Sequence, residues 1–251
     1  MKIAFTGKGG VGKTTLASLF IKTISKDGNE ILAVDCDPDS NLARTMGFKG
    51  ADNIIPIAYM KDMIEERMGV TKGNKSFYKL NPKIDDIPDK FSVTEGNIKL
   101  IVMGAVEEGG AGCMCPENTF IKNLLNHIVL ERGEHIVMDM EAGVEHFGRG
   151  TAESCDFVIT VVEPSMNSIA TAKRIAGFAK DIGIKKIYAL GNKVTSENDK
   201  EFIIKNLKNI KLIEALEFDK GLLGWGIKES RQVGSKDILK KIDNVKEFLM
   251  K

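Results

Sequence analysis

"GKGGVGKT", residues 7–14, joins a short apolar run, "KIAFT", to a helical pattern running from Thr14 to Lys26. Strand, glycine loop and helix in that order, with Lys-Thr at the helix start, is the arrangement of a phosphate-binding loop, G-x-x-x-x-G-K-[ST]. Gly9, Gly10 and Gly12 let the backbone curl, so that the N–H groups of the loop, from Gly9 through Val11 to Thr15, face phosphate oxygens. The helix adds its positive N-terminal end. Lys13 is placed to reach the β- and γ-phosphates of ATP, and Thr14 to ligate Mg²⁺. A chance glycine turn would not need the strand, the helix and the Lys-Thr pair together.

Outward from this loop the chain keeps one rhythm. Further strand candidates are "EILAVDCD" (30–37), "IKLIVMG" (98–104), "HIVMDM" (135–140), "FVITVVEP" (157–164), "KIYALGNK" (186–193) and "KLIEALEF" (211–218). Helical patterns over 117–131, 165–182 and 197–207 lie between most of them. The alternation predicts an α/β fold of three layers, a mostly parallel central sheet with helices on both faces. Ligands then bind at the carboxyl ends of the strands. Residues 49–97 interrupt the rhythm with a short helix around 59–68 and a polar segment holding Pro82 and Pro88. They are expected to be an insertion in one domain spanning 1–251. At the C-terminus, Ile238, Ile242, Val245 and Leu249 share one helical stripe, expected to close over the sheet rather than lie on a membrane, because Asp243 and Glu247 break up the lysines.

The 251 residues are 43% apolar, enough for a sizeable core, and the formal net charge of +1 offers no broad basic face for nucleic acid. No apolar run approaches the roughly 18 residues a membrane helix needs. The first ten residues read as strand and loop rather than as a signal peptide. A cytoplasmic chain is expected, without nucleic-acid or membrane partners. In that reducing setting the four cysteines are metal ligands or core residues sooner than disulfides.

Lys8, the extra lysine of "KGGVGKT", narrows the match. It resembles the deviant Walker A family of dimeric ATPases, which includes the nitrogenase iron protein and the division-site and plasmid-partition ATPases. The resemblance implies that Lys8 reaches across a homodimer interface to the partner's nucleotide, as an arginine finger does. "VDCDPDSN" (34–41) resembles the family's first switch, in which Asp37 positions the attacking water. Asp35 is a candidate for the magnesium shell, and Cys36 reads as a small buried residue. In "IVMDMEAGVEHFGRG" (136–150), Asp139 takes the Walker B position, holding Mg²⁺ through water, and Gly143 the second switch, whose N–H senses the γ-phosphate. His146 reads as a loop residue with local hydrogen bonds. "GNKV" (191–194) resembles the Asn-Lys that reads adenine, with Asn192 as the contact. "LEFDKG" (216–221) is a weaker candidate for the base pocket.

"GGAGCMCPENTF" (109–120) places Cys113 and Cys115 one residue apart after a strand, on the same end of the sheet as the switches. Thiolates suit zinc, nickel, copper(I) or iron–sulfur clusters. Two sulfurs fall short of the four of a closed site, but paired loops on a two-fold axis would supply S₄. A strained disulfide and two unrelated residues are the other readings of the spacing. Cys155, just before a strand, reads as structural.

Together "KGGVGKT", "DCDPDSN", "GCMCPEN" and "DMEAGVEHFGRGT" resemble the carbon monoxide dehydrogenase accessory ATPases, over nearly the whole chain. The relative serving acetyl-CoA synthase shares the layout. The resemblance implies a homodimer that cycles between ATP and ADP, binds Ni²⁺ or Zn²⁺ through paired Cys113 and Cys115, and supports nickel insertion into a client enzyme. Three other functions compete. An iron–sulfur carrier would use the same four sulfurs, although the nitrogenase pattern has a cysteine in the second switch and this loop has none. A partition or site-selection ATPase fits poorly with the neutral charge and the cysteine pair. A small-molecule kinase lacks any visible acceptor motif.

Overall fold

In the computed structural model, which describes residues 1–70, 77–104, 116–141, 154–223 and 234–251, the apolar runs become adjacent strands. They are β1 (Lys2–Thr6), β2 (Ile31–Cys36), β3 (Val93–Glu95), β4 (Ile98–Val102), β5 (His135–Met140), β6 (Phe157–Val162), β7 (Ile187–Val194) and β8 (Lys211–Glu217). The sheet order is β3-β4-β2-β5-β1-β6-β7-β8. Every pairing is parallel except β3 with β4.

The inner strands are mostly apolar because both faces are covered, with polar residues such as Asp35 and Asp139 toward their carboxyl ends. Ile3 and Phe5 of β1, with Ala33 and Val137, pack toward α1 (Lys13–Ser25), through Leu16, Phe20 and Ile24. Ala4, Leu32, Val34, Ile136 and Met138 pack to the other side. There they meet Phe120, Leu124 and Ile128 of the helix Pro116–Glu131. A third cluster, around Ile169, Ala189, Ile203 and Leu207, closes the β7–β8 end. The three expected layers and the mostly parallel sheet are present. β1 is the strand at which the chain changes direction along the sheet, since β2 lies beyond β5 on one side and β6 lies on the other. Such a switch point opens a crevice at the carboxyl ends of the strands.

Residues 49–97 hold more structure than the sequence pattern showed. The helix expected near 59–68 is α-helical over Lys61–Met68, preceded by a 3₁₀ turn, Ile57–Tyr59. A short helix, Ile87–Phe91, carries Pro88 in its first turn, which is tolerated there because its missing N–H has no partner anyway. β3 is an antiparallel edge strand that turns into β4 through Gly96 at φ 61. Ile57, Ile64, Met68 and Ile87 pack into the same cluster as Phe120 and Leu124.

The C-terminal stripe is buried. Ile238, Ile242, Val245 and Leu249 of the helix Lys236–Met250 join the α1 side of the core. No described helix is long and apolar enough to cross a membrane. Ile242 is fully buried, so Ile242→Ala should lower the unfolding free energy by about 2–5 kcal/mol in chemical denaturation. A change below roughly 0.5 kcal/mol would mean the stripe does not pack on the core.

Candidate nucleotide site

Gly7, Gly10 and Gly12 have φ values of 148, 80 and 97, a course that side-chain-bearing residues rarely follow. Two of them are also places of close approach. A Cβ on Gly7 would lie 2.5 Å from the Val161 carbonyl oxygen, and one on Gly12 would lie 2.4 Å from Asn192 Nδ2. Gly12 precedes α1 in the left-handed conformation, and Lys13 opens the helix. The loop is therefore pressed between β1, β6 and β7, with its N–H-rich side left for a ligand.

β7 holds the loop from behind. Asn192 Nδ2 donates to the Val11 carbonyl at 2.8 Å, and Lys193 Nζ donates to the Gly10 carbonyl at 2.6 Å. Lys193 adopts φ 58, and the pairing of β7 with β8 shifts register between Gly191 and Val194. Left-handed backbone at a lysine is unfavourable and persists only where contacts fix it. Glu163 Oε2, 3.4 Å from Lys193 Nζ, adds an ion pair from the end of β6. The amide nitrogen of Asn192, read from sequence as an adenine contact, is thus used on the loop itself. Sequence reasoning did not find Lys193 in this role. The "GNKV" string held the signal, since a lysine beside that asparagine has no apolar face to cover.

In front of the loop three carboxylates cluster together, with the Lys13 ammonium beside Asp37 and acting on Asp139. Asp35 of β2 and Asp139 of β5 are register partners on adjacent strands, and Phe5 of β1 also pairs with Asp139. Both aspartates are fully buried, and Lys13 is 6% exposed. Lys13 Nζ lies 3.6 Å from Asp37 Oδ2. Asp37 Oδ1 accepts the Asp39 N–H at 3.1 Å, which fixes the carboxylate toward the lysine. Asp35 accepts the N–H groups of Asp37 and Leu42.

Asp139 is different. Neither of its oxygens meets a donor in hydrogen-bonding geometry among the described residues. Burial pushes its carboxyl up to about 6, against the pull of the Thr14 hydroxyl and the Lys13 ammonium. Burial also raises Asp35, to about 7, with the charges of Asp139 and Asp37 adding to the rise and the Leu42 and Asp37 N–H groups opposing it. A fully buried carboxylate without donors, beside a threonine hydroxyl at a phosphate loop, fits a hydrated divalent cation. Mg²⁺ would be held by Thr14 directly and by Asp139 through water.

Lys8 is half-buried at the start of the loop, and Gly9 and Gly10 are exposed. Cys36 lies between the two aspartates, where burial and their charges push its thiol well up, so it stays protonated. The Cys155 thiol donates to the carbonyls of Lys2 and Phe157 and is pushed up to about 12 by burial, as suits a structural residue. Gly143, His146, Cys113 and Cys115 lie outside the described residues. Among the described residues no group of three or more His, Cys, Asp or Glu side chains is arranged to hold a metal ion.

Comparison with known proteins agrees with this geometry. The family model described as the CobQ/CobB/MinD/ParA nucleotide binding domain matches residues 2–237. The carbon monoxide dehydrogenase accessory protein CooC of Rhodospirillum rubrum is 42% identical over 224 residues, covering 88% of this chain and 85% of that protein. An ATP-binding protein of Methanocaldococcus jannaschii is 45% identical over 219 residues, covering 87% and 84%. Among solved structures, the MinD cell division protein of Aquifex aeolicus superposes with a TM-score of 0.65 at 20% identity, over 100% of this chain and 97% of that one, a likeness of fold.

Because Asp139 and Asp35 are raised in the folded chain, the native state keeps protons that the unfolded state releases between about pH 4 and pH 7. Stability of the ligand-free protein therefore falls as pH rises through that window. Asp139→Asn should raise its thermal midpoint at about pH 8, by a stabilisation on the order of 3 kcal/mol or less, and give little gain at about pH 4.5. The same variant should lose the Mg²⁺-dependent part of the midpoint rise caused by ATP. A lower midpoint at both pH values would show that Asp139 is paired, not orphaned.

Proposed function

The chain belongs to the CobQ/CobB/MinD/ParA nucleotide-binding family and, within it, to the carbon monoxide dehydrogenase accessory proteins; we propose that it is a homodimeric Mg-ATP-driven metallochaperone supporting nickel insertion into carbon monoxide dehydrogenase or acetyl-CoA synthase. The similarity to the Rhodospirillum rubrum accessory protein along most of both chains carries this reading. The Cys113–Met114–Cys115 segment supplies the cargo site, one pair of thiolates from each subunit around Ni²⁺ or Zn²⁺. We read residues 1–251 as one domain, with 49–97 inserted beside the helix that follows the cysteines.

The chain is an ATPase, and its residues divide the work of phosphoryl transfer, which is mainly positioning and charge stabilisation. In this proposal Lys13 leaves Asp37 for the β- and γ-phosphates, and the loop N–H groups from Gly9 to Thr15 cradle them. Thr14 and Asp139 would hold Mg²⁺, which would supply neutralisation of charge on the phosphate oxygens. Asp37 orients the attacking water. Lys8 reaches the partner's nucleotide, and Gly143 registers the γ-phosphate, so hydrolysis is slow until two subunits close. Asn192 and Lys193 keep the loop in shape while the ligand changes. Closure then alters the spacing of the two cysteine pairs and so the hold on the metal.

Lys13→Ala should reduce ATP turnover at least ~100-fold in a phosphate-release assay, because it removes a charge made for the transition state. Anaerobic nickel titration should saturate at about one metal per dimer with thiolate-to-metal charge-transfer absorbance. Cys113→Ala with Cys115→Ala should abolish that signal and leave ATP binding intact. Unchanged nickel stoichiometry in the double variant would remove the cysteines from the metal site. A brown chromophore in protein purified without air, with no nickel bands, would favour an iron–sulfur carrier instead.

A further inference from the structure

Asp35 spends both of its oxygens on the backbone of the loop that carries Asp37. Oδ1 accepts the Asp37 N–H at 3.1 Å, and Oδ2 accepts the Leu42 N–H at 2.9 Å. These N–H groups stand at the two ends of the turn "DPDSN", residues 37–41. Leu42 begins the short helix Leu42–Met46, whose preceding residue Asn41 makes no side-chain cap. The carboxylate of Asp35 takes the place of that cap from the neighbouring strand.

Inside the turn the Asp37 carbonyl accepts from the Ser40 N–H at 3.0 Å and from the Ser40 hydroxyl at 3.1 Å. Ser40 adopts φ 48, a left-handed conformation that costs a non-glycine residue on the order of 1 kcal/mol or more. Such a turn keeps its shape only if it is fixed at more than one point. Asp35 is fully buried and cannot be serving solvent. A buried carboxylate is retained at considerable cost, and its two acceptors match the two donors that bracket the turn.

We propose that Asp35 is the positioning residue of the switch: its carboxylate clamps both ends of the 37–42 turn and so sets where the Asp37 carboxylate stands relative to Lys13 and the γ-phosphate. This rests on the ATPase reading of Asp37. An asparagine at 35 keeps the size of the side chain but offers one acceptor oxygen and two N–H donors, so one end of the turn is released. Errors of about 1 Å in the placing of a reacting group cost on the order of a hundredfold in rate. A direct magnesium ligand would behave differently, because its loss raises the Mg²⁺ requirement.

The test uses the full chain and the variants Asp35→Asn and Asp35→Glu. Amide hydrogen exchange is followed by NMR, alongside Kd for Mg-ATP, kcat and the Mg²⁺ dependence of kcat. In Asp35→Asn the Leu42 amide should exchange at least ~tenfold faster while α1 amides keep their protection. Kd should stay within about threefold of wild type, kcat should fall at least ~tenfold, and the Mg²⁺ concentration for half activity should not move. Asp35→Glu keeps both acceptors on a longer arm. It should retain Leu42 protection and still lose kcat, and it carries the test if the asparagine variant does not fold. Unchanged Leu42 exchange in Asp35→Asn, a raised Mg²⁺ requirement, or full activity of Asp35→Glu would overturn the proposal. Failure of the wild-type chain to hydrolyse ATP would instead sink the ATPase reading, because the exchange result does not depend on turnover.

Discussion

The crowding of negative charge at the ends of β2 and β5 is the constraint on which the site depends. Asp35 and Asp139 face each other in register with no exposed surface, and Asp37 stands two residues beyond. The Lys13 ammonium stands beside Asp37 and acts on Asp139. Burying charge on this scale is unfavourable unless donors or cations offset it. Asp35 is offset by backbone N–H groups, Asp37 by Lys13 and the Asp39 N–H, and Asp139 only by the nearby Lys13 charge and Thr14 hydroxyl, without a well-formed hydrogen bond among the described residues. The remaining negative charge is what attracts a divalent cation, and the cation in turn admits a polyphosphate that the carboxylates alone would repel.

The loop that receives the phosphate is shaped by the opposite requirement. Its N–H groups must be turned to the ligand, so its carbonyls point away and need partners of their own. Asn192 and Lys193 supply them from β7. This explains the unfavourable backbone at Lys193 and the register shift beside it: a strand continuing regularly to Val194 would carry the lysine away from Gly10. The close approaches at Gly7 and Gly12 follow from the same packing, since β6 and Asn192 occupy the space a side chain would need. β7 and the phosphate loop are therefore mechanically joined before any nucleotide binds.

Most of the sheet was legible because parallel strands covered on both faces are mainly apolar, and short runs such as "KIAFT" and "FVITVV" have few other uses. The phosphate loop was legible because its glycines and Lys-Thr pair answer to one chemistry. What escaped were features set by tertiary context. β3 is three residues long, too short to show alternation, and exists because β4 offers an edge and Gly96 a turn. The helix Leu42–Met46 has no capping side chain in its own sequence, since its cap comes from Asp35 on another element. Asp35 reads from sequence as a candidate for the magnesium shell, and its hydrogen bonds place its carboxylate on the Asp37 and Leu42 N–H groups. Lys193 has no role of its own in the "GNKV" reading, and its ammonium lies on the Gly10 carbonyl. In each case the residue type was visible, and the partner, distant in sequence, was not.

Residue 35 also links the two halves of the proposed cycle. Its carboxylate holds the turn that carries Asp37, and its own carbonyl accepts the Met103 N–H at 2.8 Å. Met103 is followed by Gly104, where φ is 73 and a Cβ would lie 2.6 Å from Pro56 Cβ. That contact also fixes the point from which the chain runs on toward Cys113. In the proposed cycle, a shift of the first switch would bear on the end of β4 through one backbone hydrogen bond and one tight glycine contact. Parallel strands make such sharing unavoidable, because all their carboxyl ends open on the same side of the sheet. The proposed metallochaperone cycle calls for the nucleotide and metal sites on one edge of the sheet. The order of strands β4, β2, β5 and β1 provides that edge.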